Sequence, residues 1–466
     1  MADELKLSKY NHFFKLENGN WLAFNALRCG LAELDQPSYD KIAMFSEGKE
    51  TPHTPDNDDL RKDFMKGGFL IGSDIEEIDL IKFRHYTARF DGRRLALTII
   101  PTLECNFACD YCYEDARLHS LPPHCGSIMT DEVHDNIIGL CEREISEGSA
   151  FSVTWYGGEP LLAPQIVEEM SNHFMKICEA KQSKYFAGMV TNGYLLDQAN
   201  LELILKARIA FLQITVDGPK EVHNIRRPLK NGGGTYDRIV ANLANIPDNA
   251  PIMLSIRINI DKRNQESTSL LLEDLKKRGF HEKPNFHLCL GQVIHLSKSC
   301  PGIAAQCMMT EEFSTFSANT YKIAMDMGFR ITHYPMIMMS NCGAIRRGSV
   351  VIEPNGNIQN CWNTVGESEL RTGILTPEGI EYNHNYAKWL SWTPFESDCR
   401  ECNILPICMG GCPYKRLYQK NGAYVCNDFC ANWKYNLMSM LKIVKEAKER
   451  GLWPQVEKRP LVGDII

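Results

Sequence analysis

The chain has 466 residues, a formal net charge of −7, 44% hydrophobic and 23% charged residues, and 18 cysteines. That length allows two or three domains with ample core, and the mild acidity argues against a nucleic-acid surface built on bulk charge. No apolar run is long enough to span a bilayer and the polar start Met1-Ala2-Asp3-Glu4-Leu5-Lys6 has no signal-peptide pattern, so a cytoplasmic protein without membrane contact is expected, in which abundant thiols point to metal or redox chemistry rather than disulfides.

Residues 1–94 hold no cysteine cluster. The apolar-aromatic runs from Phe13 and up to Phe24 flank Glu17-Asn18-Gly19 and predict a hairpin. Short helical patterns follow at 37–47 and 58–66, then a strand at 68–71. The mixture predicts a small α+β module, either a cap on the main domain or a binding module.

From Leu95 the pattern changes. Apolar, β-rich runs at 95–100, 151–156, 187–190, 211–216, 253–260 and 286–290 alternate with amphipathic stretches at 130–147, 165–180, 195–207, 236–245 and 267–278. Thr130-Asp131-Glu132 opens the first of these stretches as an N-cap followed by acidic first-turn residues. Strands separated by helices predict a parallel sheet with right-handed crossovers, either doubly wound or part of a (β/α) barrel. In both architectures chemistry collects at the carboxyl ends of the strands.

The first strand is followed at once by Cys105-Asn106-Phe107-Ala108-Cys109-Asp110-Tyr111-Cys112, three thiols within eight residues. A four-iron cluster normally takes four thiolates, so three close cysteines without a local fourth predict a cluster with one iron left for a small molecule. The ends of the next strands carry Gly157-Gly158-Glu159-Pro160, Thr191-Asn192-Gly193 and Asp217-Gly218-Pro219, with His223, Arg226 and Arg227 just beyond. Paired glycines permit close backbone approach to a ligand, Glu159 could accept hydrogen bonds from an amine, and the guanidiniums could grip a carboxylate in bidentate fashion. Each is a common turn feature alone; their succession around one rim is the stronger signal.

Residues 295–340 are less regular and are expected to bridge two domains. A second thiol-rich region follows: Cys342, a hairpin through Val350 to Ile358, Cys361, then Cys399, Cys402, Cys408, Cys412, Cys426 and Cys430. Paired cysteines of this kind also suit a zinc ribbon. The Lys-rich pattern at 435–450 predicts a solvated amphipathic helix.

Taken together, these motifs resemble the radical S-adenosylmethionine superfamily, in its subgroup with a C-terminal SPASM domain. Cys105-x3-Cys109-x2-Cys112 matches the cluster motif, Gly157-Gly158-Glu159-Pro160 the "GGEP" motif, and Val216-Asp217-Gly218-Pro219 with His223 and Arg227 the usual sequence after the fourth strand. Cys342, Gly356-x4-Cys361, Cys399, Cys402, Cys408, Cys412 and Cys430 match the seven-cysteine SPASM array. The resemblance covers roughly residues 95 to 445. It implies a partial (β/α)6 barrel at 95–310, after the N-terminal module at 1–94, then a bridge at 311–340, a SPASM domain at 341–445 and a tail at 446–466.

The resemblance further implies that Cys105, Cys109 and Cys112 hold a [4Fe-4S] cluster whose fourth iron binds S-adenosylmethionine. Gly158 and Glu159 would then meet its amino group, Asn192 and Arg227 its ribose or carboxylate, and Tyr111 its adenine, with Asp217 in the same rim. Two auxiliary [4Fe-4S] clusters are implied, one on Cys399, Cys402, Cys408 and Cys430, the other on Cys342, Cys361 and Cys412 with either Cys426 or an open iron site. An open iron would suit a substrate thiolate. The expected activity is hydrogen abstraction from a ribosomally made precursor peptide and formation of an intramolecular thioether. Carbon–carbon crosslinking and formylglycine formation in sulfatases are the alternatives. Expected partners are the precursor peptide, whose leader the N-terminal module would bind by strand addition, and an electron donor such as flavodoxin or ferredoxin. Cys29, Cys125, Cys141, Cys178, Cys289, Cys300 and Cys307 have no ligand spacing and are expected to be structural, with Cys125 the one open to a second role.

Overall fold

In the computed structural model, residues 4–49, 52, 54–112, 114, 127–295, 301–418 and 429–454 are described. The N-terminal module contains β1 (Leu5–Leu7), β2 (Asn11–Lys15), β3 (Trp21–Asn25), β4 (Gly30–Leu34), α1 (Gln36–Met44), α2 (Pro55–Gly67), β5 (Leu70–Gly72) and α3 (Glu77–Phe90). Strands β2, β3 and β4 form an antiparallel meander, with Lys15 opposite Trp21 across the expected turn. Gly19 takes the positive φ of +88° that such a turn requires. Strands β1 and β4 and helix α3 were not foreseen.

The barrel follows as β6 (Arg94–Ile99), α4 (Asp131–Glu144), β7 (Ala150–Trp155), α5 (Pro164–Ala180), β8 (Lys184–Thr191), α6 (Gln198–Lys206), β9 (Ile209–Thr215), α7 (Lys220–Arg226), α8 (Tyr236–Ala244), β10 (Met253–Ile260), α9 (Thr268–Lys277) and β11 (Phe286–Gln292). The six strands are parallel and stand side by side in chain order, giving the partial (β/α)6 barrel. Thr130 caps α4 by accepting from Val133 N at 3.3 Å. Along each strand one parity is core: Phe151, Val153 and Trp155 on β7, and Leu254, Ile256, Ile258 and Ile260 on β10, are essentially inaccessible and pack under the helices. The other parity is more polar and lines the concave side.

Beyond the barrel come α10 (Thr310–Asp326), β12 (Ser349–Ile352), β13 (Asn357–Gln359), β14 (Gly373–Thr376), β15 (Gly379–Tyr382), α11 (His384–Ser391), α12 (Leu405–Cys408), α13 (Pro413–Tyr418) and α14 (Trp433–Glu449). Two expectations are corrected here. The stretch read as an irregular bridge begins with a 17-residue helix, α10, whose Phe313, Ala318, Tyr321 and Ala324 join the barrel core. The C-terminal helix is not a solvated one. It packs along α10 and buries Leu437, Met440, Leu441 and Val444, each side chain contributing about 1.5–3 kcal/mol.

The boundary expected near residue 341 is also bridged by backbone. Strand β12 pairs in parallel with β6, Ile352 beside Ile99, and β13 to β15 extend the sheet to ten strands. The hairpin of the cysteine-rich region is therefore a continuation of the barrel sheet.

Candidate active site

The loop bearing Cys105, Cys109 and Cys112 leaves the carboxyl end of β6 and is pinned from two sides. On one side Ala108 N donates to Pro228 O (2.9 Å), Lys230 N to Asn106 O (3.0 Å), and Phe107 bridges to Leu229. On the other, Gly158 N donates to Thr102 O (3.1 Å) and Glu159 N to Glu104 O (2.8 Å). A Cβ on Gly158 would fall 2.2 Å from Glu104 O, and one on Gly157, at φ +116°, 2.5 Å from Ile100 Cγ2. The close approach these glycines permit is thus to the chain's own cysteine loop, where a ligand had been expected.

Glu159 is fully buried. Its Oε1 accepts from Thr191 Oγ1 (2.7 Å) and Leu161 N (3.0 Å), and its Oε2 from Asn192 N (2.7 Å). Burial pushes this carboxyl up, and those donors together with the charge of Arg227 oppose the shift. This carboxylate, expected to receive an amine, also ties the β7 loop to the end of β8. Asn192 continues that tie, its Nδ2 donating to Asn106 Oδ1 at 2.7 Å and lying 3.9 Å from Cys105 Sγ.

Tyr111, Asp217 and Arg227 come together as one unit. The Tyr111 hydroxyl donates to Asp217 Oδ2 and accepts from Arg227 Nη1 (2.6 Å) and Asn259 Nδ2 (3.2 Å). Asp217 Oδ1 accepts from Asn259 N (2.8 Å), and Asp217 N donates to His223 Nδ1 (3.1 Å). His223 is buried and its pKa is pushed well down by that burial and by Arg227 and Arg226, so it is a neutral pin of the turn. Burial raises the Tyr111 pKa well above its ordinary value against the pull of Arg227, keeping the phenol neutral. Arg226 lies 5.1 Å over the Tyr111 ring and donates to Asp261 Oδ2 (2.9 Å), while Arg263 spans Asp261 (2.7 Å) and Asp110 (2.5 Å) inside the cysteine motif. Asn259, Asp261 and Arg263 were missed in the sequence; their signal is a run of polar residues at alternate positions where a buried strand ends.

The C-terminal thiols form two sets. Cys342, Cys361 and Cys412 pack with Ala344, Ile345, Trp389 and Tyr414, whereas Cys399, Cys402 and Cys408 pack against Phe395, Leu405 and Met409. Cys430 lies beside the Cys408–Cys412 turn, where any Cβ on Gly411 would sit 1.9 Å from Phe429 O. Arg416 Nη2 donates to Cys399 Sγ at 3.4 Å. Cys125, Cys300 and Cys426 lie outside the described residues.

The donor sets suit iron–sulfur clusters. Burial pushes the Cys105 thiol up to about 12 and raises those of Cys342 and Cys408, so these sulfurs are thiolates only where a cation takes the place of the proton. Among the described residues no three Cys, His, Asp or Glu side chains converge on one point, as ligands of a single tetrahedral zinc do; a four-iron cluster takes one thiolate per iron and spreads them. Beside Cys342, Arg346 Nε is buried without an acceptor. Nearby, Arg89 is buried among Ile345 O (2.9 Å), Leu390 O (2.8 Å) and His85 Nε2 (3.2 Å), with no carboxylate among the described residues. Buried cations of this kind fit an anionic group held by the thiols.

Residues 99–275 match the family model described as the Radical SAM superfamily. These residues are a radical SAM domain. The chain is 22% identical to the radical SAM cyclopropyl synthase TigE of Paramaledivibacter caminithermalis over 88% of this chain and 89% of that protein. It is likewise 22% identical to the cysteine-type anaerobic sulfatase-maturating enzyme of Clostridium perfringens, over 73% of this chain and 94% of that one. Among solved structures, Streptococcus suis SuiB bound to precursor peptide SuiA shares the fold, with a TM-score of 0.51 at 14% identity over 92% of this chain and all of SuiB. No helix among the described residues is long and apolar enough to cross a membrane.

Proposed function

We propose that this chain is a radical SAM peptide maturase of the SPASM type that forms an intramolecular thioether in a ribosomally made precursor. Cys105, Cys109 and Cys112 would hold the cluster that engages S-adenosylmethionine, and the two C-terminal thiol sets would hold auxiliary [4Fe-4S] clusters. When bound, the cluster and S-adenosylmethionine supply one-electron abstraction of a hydrogen atom from the peptide. The protein's part is placement. The Asp110–Arg263–Asp261–Arg226 chain and the Tyr111–Asp217–Arg227 unit fix the cysteine loop against β9 and β10, and Glu159 fixes the β7 loop beneath it.

The thioether reading rests on the Cys342, Cys361 and Cys412 set, which sits beside the guanidiniums of Arg89 and Arg346. A cluster on these three thiols that Cys426 does not complete would hold an iron open to a soft ligand, and the cations favour that ligand as a thiolate. A peptide substrate is further supported by the likeness to a protein solved with its precursor peptide, and by the N-terminal module. There the meander has open edges at β2 and β4, and α3 exposes Phe83, Tyr86 and Phe90 along one face. Flavodoxin or ferredoxin would supply the electron.

The test is incubation of the anaerobically reconstituted enzyme with S-adenosylmethionine, reductant and the precursor encoded beside its gene. The expected product is lighter by two hydrogens and has lost one alkylatable thiol. A retained thiol would make the product a carbon–carbon crosslink, and an unchanged mass despite turnover of S-adenosylmethionine would overturn the reading. The likeness to the sulfatase-maturating enzyme favours formylglycine formation as a second reading. It predicts oxidation of a sulfatase-derived peptide at its Cys or Ser.

A further inference from the structure

Among the described residues, four guanidiniums stand on β10 or just beyond β9 and β10, and three of them have anionic partners. Arg226 is paired with Asp261, Arg263 with Asp261 and Asp110, and Arg227 with the Tyr111–Asp217 unit. The fourth, Arg257, has no carboxylate partner among the described residues. It stands on β10 with the concave parity, between Thr215 of β9 and Cys289 of β11. Its side chain climbs toward the rim, where Nε donates to Asn259 Oδ1 at 2.7 Å. That bond uses one of the five guanidinium donors and fixes the plane of the fork.

The room for this fork is made by the backbone. Gly291, the partner of Asn259 on β11, would place a Cβ 2.4 Å from Arg257 Nη2. The guanidinium therefore occupies the space that any other residue at 291 would fill. Asn259 divides the site: its Nδ2 faces Tyr111 and the cysteine loop, while its Oδ1 faces Arg257. Arg257 thus lies across Asn259 from the cysteine loop, toward β11, which is the edge strand of the sheet and the side on which no further strand closes the barrel. The titratable groups near it are Cys289 on β11 and Tyr321 of α10, which burial keeps a neutral phenol. A half-buried, oriented guanidinium without a counter-ion is costly to maintain unless an anion visits it, and the planar fork matches a carboxylate.

We propose that Arg257 anchors a carboxylate of the peptide substrate, an Asp or Glu side chain or a C-terminus, at the open edge of the barrel. This rests on the peptide-maturase reading given above. S-adenosylmethionine also carries a carboxylate, so the experiment separates the two sources. The reconstituted full-length enzyme, saturated with S-adenosylmethionine, is titrated with N-acetylaspartate N-methylamide and N-acetylalanine. The neutral control is N-acetylasparagine N-methylamide, and binding is read by saturation-transfer NMR.

The wild type is expected to bind at least one acid at least tenfold more tightly than the amide. R257Q should abolish that preference, and R257K, which keeps the charge but not the fork, should retain a fraction of it. G291A leaves the arginine in the chain but displaces its fork, and should also weaken the acid, which guards against a misfolded R257Q. S-adenosylmethionine affinity, measured separately, should stay within twofold in all three variants. Equal affinity for acid and amide, no binding of either acid, or a variant that loses S-adenosylmethionine instead would overturn the proposal. Acid selectivity that tracks Arg257, in an enzyme that changes the mass of no precursor, would support the anchor and count against the maturase reading alone.

Discussion

At the barrel rim Asp110, Asp217 and Asp261 face Arg226, Arg227 and Arg263, and these charges find their opposites within the loops they hold. Beside Cys342 the balance is one-sided, with Arg89 and Arg346 set among carbonyls and no acid among the described residues. The rim is a scaffold complete in itself, which can hold its cysteine loop in shape before anything binds. At the C-terminal set, among the described residues, the cations are met by carbonyls and an imidazole alone.

The largest expected effect comes from breaking each region at a thiol. Cys109→Ala should reduce 5′-deoxyadenosine formation to background. Cys342→Ala should leave it measurable while abolishing peptide product, both read by chromatography and mass spectrometry of the same reaction. Equal losses in both assays would erase the distinction between the regions. Next, Asp217→Asn removes the carboxylate that balances Arg227 at the rim and should cost about 3–5 kcal/mol in urea unfolding of the iron-free protein. Arg346→Met, which removes a cation with no acid partner, should change that stability by less than about 1 kcal/mol.

In the loaded protein the ranking reverses for redox behaviour. Arg346→Gln should lower the midpoint potential of one auxiliary cluster by about 59 mV for a tenfold change in its one-electron equilibrium, followed by spectroscopic titration. An unmoved potential would mean that this guanidinium answers to something other than the cluster.

The smallest effect is a pH dependence. Burial, then the charge of Arg89, holds the His85 pKa down at about 4, against 6.5 for a free imidazole. A depressed folded-state value means that the stability His85 contributes is complete above pH 6.5 and is lost as pH falls from there toward 4. His85→Gln should flatten that acid limb in a denaturation series, and an unchanged limb would place the titration elsewhere.

Much of this was legible in the chain because the signals are local. The six barrel strands follow from apolar runs of the right length, and the cysteine triplet from its spacing. Helix α10 was not legible: its buried face includes Ser314, Ser317 and Thr320, which do not read as an apolar stripe. It is recognised only by its partner, since Asn436 of α14 donates to Ser314 O (3.2 Å) and Ser317 Oγ (3.3 Å) across the contact. The role of Glu159 was hidden for a similar reason. A carboxylate beside two glycines looks ligand-facing until the strand beyond it supplies Thr191 and Asn192 as donors.

The parallel pairing of β12 with β6 has a consequence for how the two thiol regions are spaced. The cysteine loop departs from the end of β6, and Cys361 follows β13, the antiparallel partner of β12, so both thiol regions are tied to one continuous sheet. The separation between the two regions is then held by strand pairing, with the intervening chain only a connector. Such a tie keeps them at a fixed spacing whatever occupies the concave side of the barrel.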